Sequence, residues 1–127
     1  GMDEAERTAF LARFVADGQG VGFAVLGGAF AEGVDLPGTR LIGAFVATLG
    51  LPQVNPVNEQ LKQRMGRLFG AGFDYTYLYP GIRKVIQAAG RVIRGDEDRG
   101  TLLLIDERFA EPGVQQMFPG WWRVEGE

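Results

Sequence analysis

Three polar side chains in one predicted helix have the chemistry and spacing needed to bind phosphate groups. At about 100° per residue, Gln87, Arg91 and Arg94 fall within about 60° of one another on the helix surface. Arg83 and Lys84 extend the same stripe. Each guanidinium can donate two parallel hydrogen bonds to phosphate oxygens, so the row suits a polyanion. The alternative is that the stripe is only the solvated side of an amphipathic helix.

The helix that carries this stripe is predicted over about residues 80–94, because apolar residues recur on its opposite side. Gly90 lies inside it and costs about 1 kcal/mol relative to alanine. Its bare Cα would let a second backbone or a ligand approach the arginines closely. The apolar side consists of Ile82, Val85, Ile86, Ala89 and Ile93.

A second segment with candidate chemistry, A-E-G-V-D-L-P-G, spans residues 31–38. It follows a strand-like run at 21–26 and the small residues Gly27-Gly28-Ala29. Taken alone, Gly33 and Asp35 are also compatible with an ordinary turn between a strand and a loop, capped by the aspartate.

Together, E-G-V-D-L-P-G at 32–38 and Q-A-A-G-R-V-I-R at 87–94 resemble motifs V and VI of superfamily 2 helicases. They resemble most specifically those of the DinG/XPD family of ATP-driven DNA helicases. The similarity covers about residues 20–122 and includes the spacing between the two motifs. Further matching pieces are Asp74-Tyr75, Tyr79-Pro80, Asp98-Arg99-Gly100, Asp106-Glu107-Arg108 and Trp121-Trp122.

This resemblance implies an α/β fold with three layers, the RecA-like (P-loop NTPase-type) second lobe of a helicase motor. We expect residues 1–127 to form a single domain with a largely parallel sheet, apparently without the first strand of the lobe. An uncovered sheet edge or apolar face would then remain, and we expect it to drive self-association.

The hydrophobic patterns predict alternating strands and helices, as in such folds. A first helix runs from Asp3 to Ala16, with Asp3 and Glu6 forming a capping box and Gly18 ending the helix. Strands are predicted at 21–26, 41–49 and 101–105, and further helices at 57–69, 80–94 and 111–118. The 41–49 run is long and continuous, which is typical of a buried parallel strand.

The resemblance also implies roles for the site residues. Arg91 and Arg94 would reach the γ-phosphate of ATP as arginine fingers, and Gln87 would hydrogen-bond a phosphate or the attacking water. In the nucleotide site, Gly33 and Gly90 would allow close approach. The carboxylates lie in the same motif: Asp35 would orient an arginine or accept a ribose hydroxyl, and Glu32 would help to couple ATP to DNA.

DNA contacts are predicted at positions that follow strands, where open α/β sheets bind ligands. Gly28 and Thr48 are such positions. Arg64 and Arg67 share one face of the 57–69 helix and are candidates for phosphate contacts, with simple solvation as the alternative.

Four residues near the C-terminus have structural alternatives to a functional role. Asp106 and Arg108 are expected to form an ion pair. The adjacent aromatics Trp121-Trp122 either stack on bases or pack over the core.

The ATP-binding machinery itself is incomplete in this sequence. No G-x-x-x-x-G-K-[ST] occurs, since Lys62 and Lys84 follow Leu61 and Arg83. The first lobe would therefore supply the P-loop and the Mg²⁺ ligands, and we expect the isolated chain to be inactive. With its first lobe as partner, the chain would belong to a 5′–3′ helicase acting on single-stranded DNA.

Composition excludes several other kinds of site. The 127 residues contain no cysteine and no histidine, so thiolate or imidazole metal ligands are absent, and any iron–sulfur cluster lies outside this chain. The net charge of −3 gives no overall basic field. No signal peptide or membrane-spanning run is evident, and we expect a cytoplasmic protein. The alternative function is a free-standing, non-catalytic α/β module that binds nucleotide or protein.

Overall fold

The computed structural model describes residues 1–28, 30, 36–93 and 98–126. Within these ranges the chain alternates helices with two strands. The helices are α1 (Glu4–Leu11), α2 (Pro56–Phe69), α3 (Tyr79–Ala89) and α4 (Pro112–Gln115), and the strands are β1 (Gly43–Val46) and β2 (Thr101–Leu104). Short 3₁₀ turns occupy Gly38–Arg40 and Glu107–Ala110, and a π-helical turn spans Asp74–Leu78.

The first helix begins where its sequence predicts and ends earlier. The Asp3 carboxylate accepts from Glu6 N at 2.8 Å, and Glu6 accepts from Asp3 N at 2.9 Å, which confirms the capping box. The helix stops at Leu11, not at Ala16 as predicted. None of its residues is fully buried, so little packing supports the helix beyond its capped first turns.

The prediction of a helix over 57–69 is confirmed by α2. Asn55 caps its first turn by accepting from Asn58 N at 2.9 Å, and Pro56 occupies the first turn, where no N–H is needed. Gly70 ends the helix in the left-handed conformation, at φ 72°.

The two strands pair in parallel, as expected for this α/β fold. Gly43 lies opposite Thr101, and Val46 lies opposite Leu104. Val46 and Leu104 share one face, which packs on α3 and on the C-terminal segment. The buried cluster consists of Val46, Leu49, Ile82, Val85, Phe109, Val114 and Phe118, with Trp122 packed against it.

The opposite face of the sheet is uncovered in the described part of the chain. Phe45 and Leu103 are paired across the strands and are 65% and 48% exposed. The 41–49 run therefore forms a shorter strand than predicted, and only one of its faces is buried. Parallel sheets are normally covered on both faces. We therefore expect the exposed face of this sheet to pack against another segment or another molecule.

The strand predicted at 21–26 does not form, so the described part of the sheet has two strands instead of three. Val21, Phe23 and Val25 have no regular secondary structure and are exposed, Phe23 by 91%. Only Leu26, at the end of the run, packs against the core. A strand needs a hydrogen-bonded neighbour, and the described residues give this segment none.

None of the described helices combines the length and the apolar run that a membrane crossing requires.

Candidate functional site

The helix that carries the arginine stripe ends at Ala89, before Arg91. Gly90 N donates to Ile86 O at 2.9 Å, and after it Arg91 N bonds Ala88 O at 3.1 Å, in the tighter three-residue pattern. The prediction of one helix over 80–94 is therefore wrong at its end. Gly90, a poor helix former, lies at the C-cap, and Arg91 follows in a turn instead of extending the helical stripe.

This turn is held against the beginnings of both strands. Gly100 directly precedes β2, and a side-chain carbon there would collide with Val92 and lie 3.1 Å from Ile42 O. Val92 is buried, whereas Arg91 is half-buried. The backbone that carries Arg91 is thus fixed at the amino edge of the sheet, with its side chain in reach of the surface.

Gln87 is exposed in the last turn of α3, one helical turn before Arg91. A side-chain carbon at Gly90 would meet only Gln87 O at 3.4 Å and Ile86 O at 3.5 Å. Among the described residues, no other segment fills the space beside this glycine. Gln87, the open position at Gly90 and Arg91 therefore follow one another closely along the backbone at the end of α3, and an amide and a guanidinium are donors that suit phosphate oxygens.

Four of the other residues predicted to contact nucleotide have no position relative to Gln87, Gly90 and Arg91. Glu32, Gly33 and Asp35 of motif V, and Arg94 of motif VI, lie outside the described residues. Their proximity to Arg91 remains a prediction.

A second polar cluster lies at the carboxyl edge of the sheet. Arg108 donates from Nε to Asp106 Oδ1 at 2.8 Å and from Nη2 to Oδ2 at 2.5 Å. Its Nη2 also lies 3.5 Å from the Thr48 hydroxyl. The expected ion pair is confirmed, and it links the segment after β1 to the segment after β2.

The ion pair fixes the charge state of its carboxylate. Hydrogen bonding from the Arg108 guanidinium lowers the pKa of Asp106 to about 2, against the opposing effect of burial. Asp106 therefore stays ionised at neutral pH and keeps the guanidinium in place.

The structure brings Gly28 to the same edge as Thr48. Gly28 N closes a turn onto Val25 O at 2.9 Å. Leu26, in the same turn, packs over Gly50. The segments that carry the two DNA candidates therefore contact each other, although no strand precedes Gly28 in the described residues.

Arg64 and Arg67 are exposed on α2, and neither forms an ion pair within the described residues. The amino edge, with Arg91, and the carboxyl edge, with Thr48, are separated by the length of the strands, about 13 Å for four residues. The described candidates thus fall into separate groups.

One feature that the sequence interpretation missed is a row of aromatic rings on α2 and α3. Residues 70–78 contain aromatic side chains with no clear helical or strand period, yet Asp74–Leu78 form a π-helical turn that leads directly into α3. The four-residue spacing of Tyr75 and Tyr79 was the available signal. The two tryptophans separate: Trp122 packs on Phe118 at a ring distance of 5.1 Å, and Trp121 is exposed.

No group of three His, Cys, Asp or Glu side chains in the described segments is arranged to hold an ion.

Comparison with known proteins gives a family match over almost the whole sequence. The family described as helicase C-terminal domain matches residues 2–125. A probable ATP-dependent helicase of Methanocaldococcus jannaschii is 31% identical over 120 residues, covering 87% of this chain and 18% of the relative.

Two further relatives are also named as helicases. The human regulator of telomere elongation helicase 1 is 35% identical over 127 residues, covering 91% of this chain and 10% of that protein. The ATP-dependent DNA helicase DinG of Photobacterium profundum is 34% identical over 84 residues, or 65% of this chain and 12% of the relative. The chain therefore spans less than a fifth of the length of each.

Proposed function

This chain belongs to the helicase C-terminal domain family, in its DinG/XPD-like branch of superfamily 2, and we propose that it is the second motor lobe of an ATP-dependent 5′–3′ DNA helicase. In this proposal residues 1–127 form one RecA-like domain, with motif V at 32–38 and motif VI at 87–94. The observation that supports it is the turn after α3, in which Gly90 caps the helix with open space beside it and the Arg91 backbone follows against the buried Val92.

The chemistry proposed for this turn is stabilisation of charge. Phosphoryl transfer depends mostly on positioning and on neutralising charge on the transferred group. Arg91, together with Arg94, would donate to the γ-phosphate when the two lobes close. Gln87 would hydrogen-bond a phosphate oxygen or orient the water.

The segment before β1 would link this site to DNA. Asp35 would orient an arginine or accept a ribose hydroxyl, Gly33 would allow close approach, and Glu32 would help couple the two sites. The P-loop and the Mg²⁺ ligands would come from the first lobe, so the isolated chain would not hydrolyse ATP.

Single-stranded DNA would contact the carboxyl edge, through Gly28 and Thr48, and the phosphate-binding candidates Arg64 and Arg67. The Asp106–Arg108 pair supports this edge by fixing the segment that carries Thr48. Separation of the two edges by the strand length lets ATP and DNA bind at once, as an ATP-driven translocating motor requires.

The uncovered sheet face supports a further part of the proposal, self-association of the isolated chain. We expect Phe45→Glu to abolish it, because a carboxylate at the centre of the apolar face would have to be desolvated. Light scattering at high protein concentration measures the mass. A monomeric wild-type chain would contradict the proposal, and Val57→Glu, at another exposed apolar residue outside this face, is the control.

The proposed function is tested with the protein that joins this chain to its first lobe. We expect ATP hydrolysis stimulated by single-stranded DNA and unwinding of duplexes with a 5′ tail in preference to a 3′ tail. The isolated chain should show neither. Nucleotide binding by the isolated chain, with no DNA-stimulated hydrolysis by the joined protein, would favour a free-standing binding module instead.

A further inference from the structure

Three aromatic side chains form a continuous exposed row where α2 ends and α3 begins. The rings of Phe69 and Tyr75 have centroids 5.0 Å apart, and those of Tyr75 and Tyr79 are 5.1 Å apart. These side chains are 58%, 44% and 41% exposed, respectively. We call Phe69, Tyr75 and Tyr79 the aromatic row.

The row is held by close packing between the two helices. Gly72 lies so near α2 that a side-chain carbon would collide with Lys62 O and lie 3.0 Å from Gly66 N. Tyr77, buried in the same turn, donates to Glu59 Oε1 at 2.7 Å. The exposed rings therefore stand on a fixed backbone, which reduces the conformational entropy lost when a ligand binds.

An arginine continues the row along α3. Tyr75, Tyr79 and Arg83 follow one another at four-residue intervals, which places them on one face of the helix. All three are exposed, and the apolar side of α3 is turned toward the core. Among the described residues, Arg83 has no ion-pair partner.

The surrounding surface is positively charged although the chain as a whole is acidic. Residues 56–89 contain five Lys or Arg and two Asp or Glu, in a chain of net charge −3. One of these acids, Glu59, is already bound to Lys62 at 2.5 Å and to Tyr77. Local excess positive charge next to exposed rings favours an anionic ligand that carries flat aromatic groups.

We propose that the aromatic row and Arg83 form a binding platform for single-stranded nucleic acid. Bases stack on the rings, and Arg83 contacts the phosphate backbone. Such a platform tolerates any sequence, because every base has an aromatic face. The inference rests on the proposed function only in the choice of DNA over RNA, and it adds stacking to the phosphate contacts proposed for Arg64 and Arg67.

A protein partner would also bury exposed aromatic residues. The positive charge favours nucleic acid, because an apolar protein surface would gain nothing from Arg64, Arg67 and Arg83, which have no ion-pair partner among the described residues.

The first test uses the wild-type chain and labelled oligonucleotides of about 12 nucleotides. Fluorescence anisotropy should show binding to oligothymidylate and at least tenfold weaker binding to an abasic strand of the same length, since the latter keeps the phosphates and lacks the bases. Equal affinity for the two strands would overturn the stacking proposal, as would failure to bind either strand.

The second test compares variants of the row. Tyr75→Ala and Tyr79→Ala should each weaken oligothymidylate binding by about 5- to 150-fold, whereas Tyr75→Phe and Tyr79→Phe should retain it, because they keep the ring. Arg83→Ala should reduce the slope of the logarithm of the binding constant against the logarithm of salt concentration by about one, which corresponds to the loss of one phosphate contact. Phe23→Ala removes an exposed ring elsewhere and should leave oligothymidylate binding unchanged.

The outcomes separate the row from the proposed motor function. Unchanged binding in both alanine variants would overturn the row while leaving the strand-edge contacts in place. If the variants instead remove self-association without affecting DNA, the row is a protein interface. Because no ATP is used, a failure of the arginine-finger proposal does not affect the result.

Discussion

Replacing Arg91 with alanine, in the protein that joins this chain to its first lobe, is expected to slow ATP hydrolysis by about 10³- to 10⁵-fold while ATP still binds. A guanidinium that contacts the γ-phosphate mainly in the transition state lowers the activation barrier and contributes little to ground-state affinity. Arg94→Ala is expected to behave in the same way. Steady-state hydrolysis and equilibrium ATP binding, measured on the same preparation, distinguish the two effects.

Two further variants sharpen this experiment. Arg91→Lys keeps the charge and loses the planar pair of donors, so it should recover only part of the rate. Arg99→Ala removes an exposed arginine directly before Gly100, the glycine against which Val92 packs. This variant should hydrolyse ATP normally. Normal hydrolysis by both Arg91→Ala and Arg94→Ala would remove the finger role.

The second large effect is expected for Gly72→Ala, which should destabilise the fold by about 3 kcal/mol. The added methyl group would collide with Lys62 O and crowd Gly66 N, both of which belong to the backbone of α2 and cannot rotate away. The two helices must then separate, and Tyr77 moves away from Glu59. A decrease in melting temperature of about 10 °C is expected in a thermal unfolding experiment.

The control for this substitution is Gly113→Ala. Gly113 lies in α4 with no atom within 4 Å of the position a Cβ would take. Alanine there should be neutral or slightly stabilising, because it restricts the unfolded chain. A Gly72→Ala protein that melts within about 1 °C of the wild type would show that α2 and the π-helical turn do not pack as closely as described.

Local sequence signals predicted the elements whose ends are determined locally. The capping box at Asp3 and Glu6 and the amphipathic pattern of α2 need only neighbours a few residues away. The parallel pairing of β1 with β2 followed from the order of helices and strands. The family was evident from two motifs at their expected spacing, and the comparisons confirm it.

The errors occurred where distant contacts decide the structure. Residues 21–26 have the composition of a strand, but strand formation depends on a neighbour, which their own sequence does not specify. The α3 helix ends early because Gly90 weakens it and Val92 is drawn into the core against Gly100. Helical spacing therefore predicted the position of Gln87 correctly, because it lies in α3, and that of Arg91 incorrectly, because it lies beyond the end of the helix.

The candidate site was predictable only in part. Residue type and motif spacing selected Gln87 and Arg91, and strand ends selected Gly28 and Thr48. The aromatic row was not predicted, since it depends on the close approach of Gly72 to α2 and on a π-helical turn that sets the direction of Tyr75 and Tyr79. The four-residue spacing of Tyr75 and Tyr79 is visible in the sequence, whereas the packing that orients their rings is not.

The position of Arg91 relative to a bound nucleotide decides whether this lobe completes an ATPase site. The direct measurement is a crystal structure of the two-lobe protein with ADP and aluminium fluoride, an analogue of the transferred phosphate. We predict that an Arg91 guanidinium nitrogen lies within about 3.2 Å of a fluoride at the γ-position. A closed complex in which the Arg91 side chain points away from the nucleotide and contacts only its own lobe would contradict the proposed motor role.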